Sequence, residues 1–290
     1  MNIEGFVNDI ERNGWNIFGF EVRHGGTVYS YGDTKDKRHP IYSATKSITS
    51  IAVGCAADDG LIELSAPILR YLPDEYIRAM SSEQREMYDR YITVERLMSM
   101  SISGYPFRPE GNDWLRFCLD VPVDNAAERS FDYSNIPVYL VCVAASRALG
   151  RDLFDYLDER LFTPLEIEKP PYLRSPEGYF YGASGMELTV NELSRVGLMM
   201  MNGGVFNGRR ILSESYAREA VSVKQPNREG GYGLYFWKYR SGFSINGKFM
   251  QKCYVLPDED IIVTMLSDIV DKIVGIAVRA SMERHIIDAR

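Results

Sequence analysis

The sequence predicts an α+β protein: one antiparallel sheet, assembled from both ends of the chain and flanked by terminal helices, stands beside a mainly helical lobe. Three observations predict it. Strand-like alternation surrounds Gly25-Gly26 near the start, it returns from Gly230 onward, and helical spacing dominates residues 60–220 in between. Strands at both ends with helices between them are satisfied by one sheet and a helical layer packed on it. The whole chain, 1–290, reads as one domain, with a sheet lobe of approximately 1–60 with 225–290 and a helical lobe of 61–224.

Each element has its local reason. After a short amphipathic N-terminal helix, residues 16–33 alternate apolar and polar on either side of paired glycines, which supply the positive φ of a tight hairpin turn. Residues 39–60 change period: Ile48, Ile51, Ala52 and Cys55 fall at helical spacing and Asp58-Asp59-Gly60 closes the segment. Residues 79–91 are highly charged and suit a solvated surface helix. The clearest amphipathic helices of the middle are residues 136–149 and 153–162. Strands are expected at 230–240, 241–247, 248–257 and 260–267, and residues 268–286 read as a closing helix. The chain shows no internal repeat and no low-complexity linker.

Composition narrows the function classes. With 33 Lys and Arg against 40 Asp and Glu, the net charge is −7. No basic run offsets it, so the chain lacks the face a nucleic-acid binder needs. No stretch approaches the roughly 18 apolar residues that span a bilayer. The first sixteen residues are acidic and lack the cationic start and apolar core of a secretory signal, so a cytoplasmic location is expected. Cys55, Cys118, Cys142 and Cys253 are widely separated among apolar neighbours and read as buried thiols. Three histidines are too few for a His-rich metal centre.

Two short patterns carry candidate chemistry. Ser43-Ala44-Thr45-Lys46 lies at the expected start of an apolar helix, where unpaired N–H groups and the helix dipole favour developing negative charge. Lys46 follows one turn later on the same face, so its amine can reach the serine hydroxyl. A lysine held out of water loses part of its preference for the charged form and can act as a base. On these four residues alone, an N-cap serine with a surface lysine reads equally well. Tyr133-Ser134-Asn135 stands between a polar loop and a strongly apolar helix. There a tyrosine can share a lysine's proton and an asparagine can hold an amine or a substrate amide, although a cap is the commoner role of such an asparagine. A Ser-His-Asp hydrolase of the α/β type would show Gly-x-Ser-x-Gly, and the chain has none.

With Ser-x-x-Lys and Tyr-x-Asn in this order, the chain resembles the serine β-lactamase and penicillin-binding protein superfamily. Tyr-x-Asn resembles the branch of class C β-lactamases, DD-peptidases, related esterases and 6-aminohexanoate-dimer hydrolases. The likeness runs from about Phe18 to Ser267. Residues 43–73 look like the family's nucleophile helix, and residues 92–105 are similar to its "TxxxLLxHTSG" segment. Residues 131–167 match the Tyr-x-Asn region, and residues 185–212 match a later helix and loop.

This resemblance implies an active site between two lobes and an acyl ester on Ser43, with no metal or cofactor. Lys46 is then the base, Tyr133 passes the proton to the leaving group, and Asn135 positions the substrate. It further implies an oxyanion hole made by the Ser43 backbone N–H and one from the strand around Gly242, Ser244 and Ile245. Here the sequence departs from the family, whose strand carries Lys-Thr-Gly or His-x-Gly. Residues 241–247 hold neither Lys nor His in place, which weakens the case for penicillins and peptide C-termini. The expected function is a serine hydrolase acting on a small amide or ester. The alternatives are a β-lactamase or DD-carboxypeptidase, and a non-catalytic ligand-binding module. Trp114, Tyr105 and Phe107 fall in loops that rim the cleft of such proteins, where packing between helices is the commoner role. The sequence leaves the oligomeric state open.

Overall fold

A helix, α1 (Ile3–Asn13), leads into the hairpin β1 (Ile17–His24) and β2 (Thr27–Gly32) in the computed structural model, which describes residues 1–123 and 125–289. The helical layer is built around α2 (Thr45–Asp58), α3 (Ser82–Tyr91), α4 (Ile136–Leu149) and α5 (Val190–Met201). The chain then returns to the sheet as β3 (Trp237–Tyr239), β4 (Gly242–Gly247), β5 (Gln251–Leu256) and β6 (Ile261–Ser267), and ends in α6 (Lys272–Met282). The sheet order is β2-β1-β6-β5-β4-β3, every neighbouring pair antiparallel, so the α+β expectation holds.

Period-2 alternation gives the sheet two apolar faces. On β5, Cys253 and Val255 join the core shared with the helical layer, whereas Tyr254 and Leu256 pack with Phe6, Ile10, Val278 and Met282 of the terminal helices. Every residue of α2 from Thr45 to Ala56 is buried, as is α4 from Ile136 to Ser146. A helix enclosed on all sides needs partners for its polar side chains as well. On α2, Ser47 Oγ donates to the Tyr235 carbonyl (2.6 Å) and Thr49 Oγ1 to the Gly182 carbonyl (2.9 Å). These bonds tie α2 to both segments that border its first turn. The charged stretch forms α3, opened by a capping box between Ser81 and Gln84.

Two expected strands are shorter than their apolar patterns. Residues 230–240 become strand only at Trp237–Tyr239, because Gly230, Gly231 and Tyr235 adopt positive φ and the Tyr235 N–H turns to the Met98 carbonyl (3.1 Å). Strand β5 begins at Gln251 because Phe249 and Met250, with φ of 59° and 64°, make the turn from β4. All four cysteines are buried and unpaired. Among the described residues, no helix is long and apolar enough to cross a membrane, and no cluster of three His, Cys, Asp or Glu side chains could hold a metal.

Candidate active site

Ser43 sits on a 3₁₀ turn, Tyr42–Ala44, immediately ahead of α2. The turn is pinned by Ile41 N–H to the Met186 carbonyl (3.0 Å) and by Thr45 Oγ1 to the Tyr42 carbonyl (2.7 Å). Tyr42 is held at a φ of 47°, a strained value for a residue with a side chain. The turn leaves Ser43 partly exposed, while Lys46, one turn into the helix, is 1% exposed.

Lys46 is the hub. Its Nζ donates to Ser43 Oγ (3.1 Å), Asn135 Oδ1 (2.7 Å) and the Ala183 carbonyl (2.8 Å). None of these acceptors is a carboxylate, so no ion pair offsets the loss of water around the ammonium. Burial accordingly lowers the pKa from 10.5 to about 7. At neutral pH about half of the molecules then hold a free amine beside the serine hydroxyl.

Tyr133 completes the cluster from the turn before α4. Its ring centroid lies 4.9 Å from Lys46 Nζ, and its hydroxyl lies near Ser43. Burial raises the phenol above its ordinary value, so it stays protonated at neutral pH. Trp237 (5.4 Å) and Tyr232 (6.0 Å) pack on its ring. Asn135 is the residue before α4, and its side chain makes no cap bond; it serves Lys46 instead. Its backbone N–H is held by the Phe107 carbonyl (2.7 Å). The cap reading of Asn135 and the surface reading of Lys46 are both excluded by these contacts.

The strand β4 reaches this site by its far end. A Cβ on Gly247 would lie 2.2 Å from the Ile41 carbonyl oxygen, so β4 meets the Ser43 turn at Gly247, where only glycine allows that approach. Gly242 is five residues away along the strand, roughly 17 Å. It lines a separate cavity with Met200 and Arg210. Ser244 is buried opposite Trp237 and Tyr254, and Ile245 is fully buried in the core shared with the helices. The structure thus gathers Ser43, Lys46, Tyr133 and Asn135 into one cluster, and it is Gly247, rather than Gly242, that brings β4 to the cluster.

Sequence reasoning missed the wall formed by residues 181–183. Ala183 supplies a carbonyl to Lys46, and the Tyr181 hydroxyl lies near Asn135. A Cβ on Gly182 would fall 2.2 Å from Cys142 Sγ, which draws this segment against α4. Main-chain acceptors leave no side-chain signature; the closely spaced glycines 182 and 185, both at positive φ, were the available signal. Of the three rim aromatics, Tyr105 is core, bonded to Tyr88 (3.0 Å), and Trp114 packs on Tyr181 (5.1 Å). Phe107 is 60% exposed beside Asn135. His285, on the closing helical segment, is half-buried against Asp9 (3.1 Å).

A serine beside a half-neutral lysine and a protonated tyrosine can form and break an acyl ester. Comparison with known proteins agrees in fold and family. The chain is 24% identical over 277 residues to a 6-aminohexanoate-dimer hydrolase of Paenarthrobacter ureafaciens, covering 82% of this chain and 68% of that one. It superposes on a D-stereospecific amidohydrolase from Streptomyces sp. with a TM-score of 0.72, at 16% identity and full coverage of both chains (100% and 100%). It also superposes on a penicillin binding protein from Bacillus halodurans with a TM-score of 0.71, at 14% identity, covering 96% of this chain and 99% of that one. At these identities the two structures show likeness of fold alone. Residues 19–275 match the family described as Beta-lactamase, and the chain belongs to that family of hydrolases, within the superfamily of serine β-lactamases and penicillin-binding proteins.

Proposed function

We propose that the protein is a serine hydrolase that cleaves a small amide or ester through an acyl-enzyme on Ser43. The carrying observation is Lys46: a fully buried amine with no carboxylate partner, 3.1 Å from the Ser43 hydroxyl. Neutral Lys46 takes the Ser43 proton as Oγ attacks the substrate carbonyl carbon. The oxyanion of the tetrahedral intermediate is received by backbone N–H groups of Ser43 and of the Gly247 end of β4. Tyr133 delivers its hydroxyl proton to the leaving nitrogen or oxygen as the scissile bond breaks, and Lys46 restores that proton. Water then attacks the ester by the reverse relay, releasing the acid and free Ser43. Asn135 holds Lys46 and is available to the substrate amide.

The relative named as a 6-aminohexanoate-dimer hydrolase supports an amide. The absence of Lys or His across residues 241–247 supports an open-chain substrate over a penicillin. Hydrolysis of a panel of p-nitrophenyl esters and p-nitroanilides, wild type beside Ser43→Ala, tests this. Unchanged rates in Ser43→Ala for every cleaved substrate would end the mechanism, and turnover of benzylpenicillin would make the protein a β-lactamase instead.

A further inference from the structure

The three most exposed large apolar side chains of the described residues stand together at the start of α6: Ile273 (78%), Ile276 (70%) and Val270 (67%). Ala277 and Ala280, also exposed, continue the row. Separations of three, four and seven residues put Ile273, Ile276, Ala277 and Ala280 on one face of the helix, a stripe about 10 Å long. The opposite face is already packed, with Val278 and Met282 buried in the core shared with the sheet. A single aliphatic residue at a surface needs no explanation, whereas a contiguous row marks a contact face, and a helix apolar on both sides is one covered on both sides.

The order along the stripe selects the occupant. Its large residues, Ile273 and Ile276, come first, and its small ones, Ala277 and Ala280, follow. A second α6 laid antiparallel, about a twofold axis between residues 276 and 277, meets it large against small. Ile276 then faces the partner's Ala277, and Ile273 faces the partner's Ala280. Such interdigitation lets two helices approach to the lower end of the usual spacing of about 8–10 Å. A parallel copy in register sets isoleucine on isoleucine and alanine on alanine, leaving a bulge and a gap.

Charge selects the same direction. Asp268, Asp271 and Lys272 stand at the start of the stripe, and Arg279, Glu283 and Arg284 at its end. Two acids with one lysine thus meet two arginines with one glutamate, and antiparallel pairing also opposes the helix dipoles. Arg279 and Arg284 already pair with Glu283 and Asp9 of their own chain, so the ends contribute orientation more than strength. An anionic membrane, the other surface that suits an exposed apolar helix face, calls for a cationic margin and bulky residues. Here the margin is mixed, half of the stripe is alanine, and the chain carries a net charge of −7.

We propose that this face of α6 is a homodimer seam, in which two copies of the chain pair their α6 helices antiparallel about a twofold axis between Ile276 and Ala277. The contact is isologous, each helix giving and receiving the same pairs. A seam of this length is smaller than a standard interface of about 1,600 Å², so the dimer dissociates reversibly, with a Kd on the order of 10 µM.

Sedimentation velocity on the full chain over about 1–200 µM tests this. The weight-average mass is expected to rise with concentration from 33.0 kDa toward twice that value. Ile276→Asp, at an exposed position, is expected to keep the wild-type melting temperature and to weaken the dimer at least about tenfold. Ala277→Cys sets a thiol about 1.5 Å from its copy along the helix direction, whereas Lys272→Cys lies about 13 Å from its copy. Because the four native cysteines are buried, mild oxidation should link Ala277→Cys protein into dimers and leave Lys272→Cys protein unlinked. A monomer at every concentration overturns the seam, as does an unchanged Kd in Ile276→Asp protein. Equal cross-linking of the two cysteine variants overturns the antiparallel register. Monomeric protein that binds phosphatidylglycerol vesicles, and loses that binding in Ile276→Asp, gives the face to a membrane instead of a second copy.

Discussion

Replacing Asn135 by aspartate would put a carboxylate oxygen where the amide oxygen now lies, 2.7 Å from the Lys46 ammonium. At an effective dielectric constant of about 20, that charge attracts the ammonium by roughly 6 kcal/mol. Desolvating the new carboxylate offsets part of this, and neighbouring opposite charges move a partner's pKa by about one to three pH units. Lys46, now titrating at about 7, would therefore titrate near 9 if the middle of that range is taken. In the proposed mechanism the reacting form is the free amine, so a raised pKa removes activity below the new value. At pH 7 the free-amine fraction falls from about one half to about one in a hundred, a loss in kcat/KM of roughly fiftyfold. The assay is the pH profile of kcat/KM for a p-nitrophenyl ester, which reports the free enzyme. The acid limb should move from near 7 to near 9, with activity recovering above it. A limb that stays near 7, with activity scaled down equally at every pH, would refute the assignment of Lys46 as base.

Three further outcomes follow from contacts in the structure. Tyr133→Phe removes the hydroxyl proposed to protonate the leaving group while keeping the ring against Trp237. It should lower kcat on the order of 10²- to 10⁴-fold with little change in KM, and a rise in KM alone would make Tyr133 a binding residue only. Gly247→Ala would set a methyl 2.2 Å from the Ile41 carbonyl, forcing the Ser43 turn to move. Steady-state kinetics should show a loss in kcat/KM on the order of a hundredfold, and an unchanged value would mean that β4 does not support the turn. Arg96 is buried without a carboxylate and donates to the carbonyls of Tyr91, Ala126, Ser101 and Glu128. Arg96→Leu should cost on the order of 3 kcal/mol in urea unfolding by orphaning those acceptors, and a wild-type midpoint would contradict this role.

The legible part of this protein was the part written in side-chain pattern. Gly25-Gly26 announced the hairpin, the apolar spacing of residues 48–55 announced α2, and Ser43 with Lys46, one helical turn apart and even with a cap reading by themselves, stood out once Tyr133 and Asn135 were read with them. What escaped was set by tertiary contact. The wall at Ala183 works through a main-chain carbonyl, which any residue could provide. The end of β4 that approaches Ser43 depends on strand register and on a turn where Phe249 and Met250 take left-handed conformations that their side chains disfavour. An apolar pattern alone gives no reason to break the strand there. The same applies to residues 230–236, whose alternation reads as strand, while Tyr235 turns back to Met98 and binds Ser47 of α2.

Intact-mass spectrometry after incubation with a fluorophosphonate probe tests directly whether Ser43 is an activated nucleophile, whatever the natural substrate is. Wild-type protein should gain the mass of one covalent adduct, at a rate that rises with pH through about 7 as Lys46 loses its proton, and Ser43→Ala protein should gain none. An equal adduct on both proteins, or none on either, would contradict it.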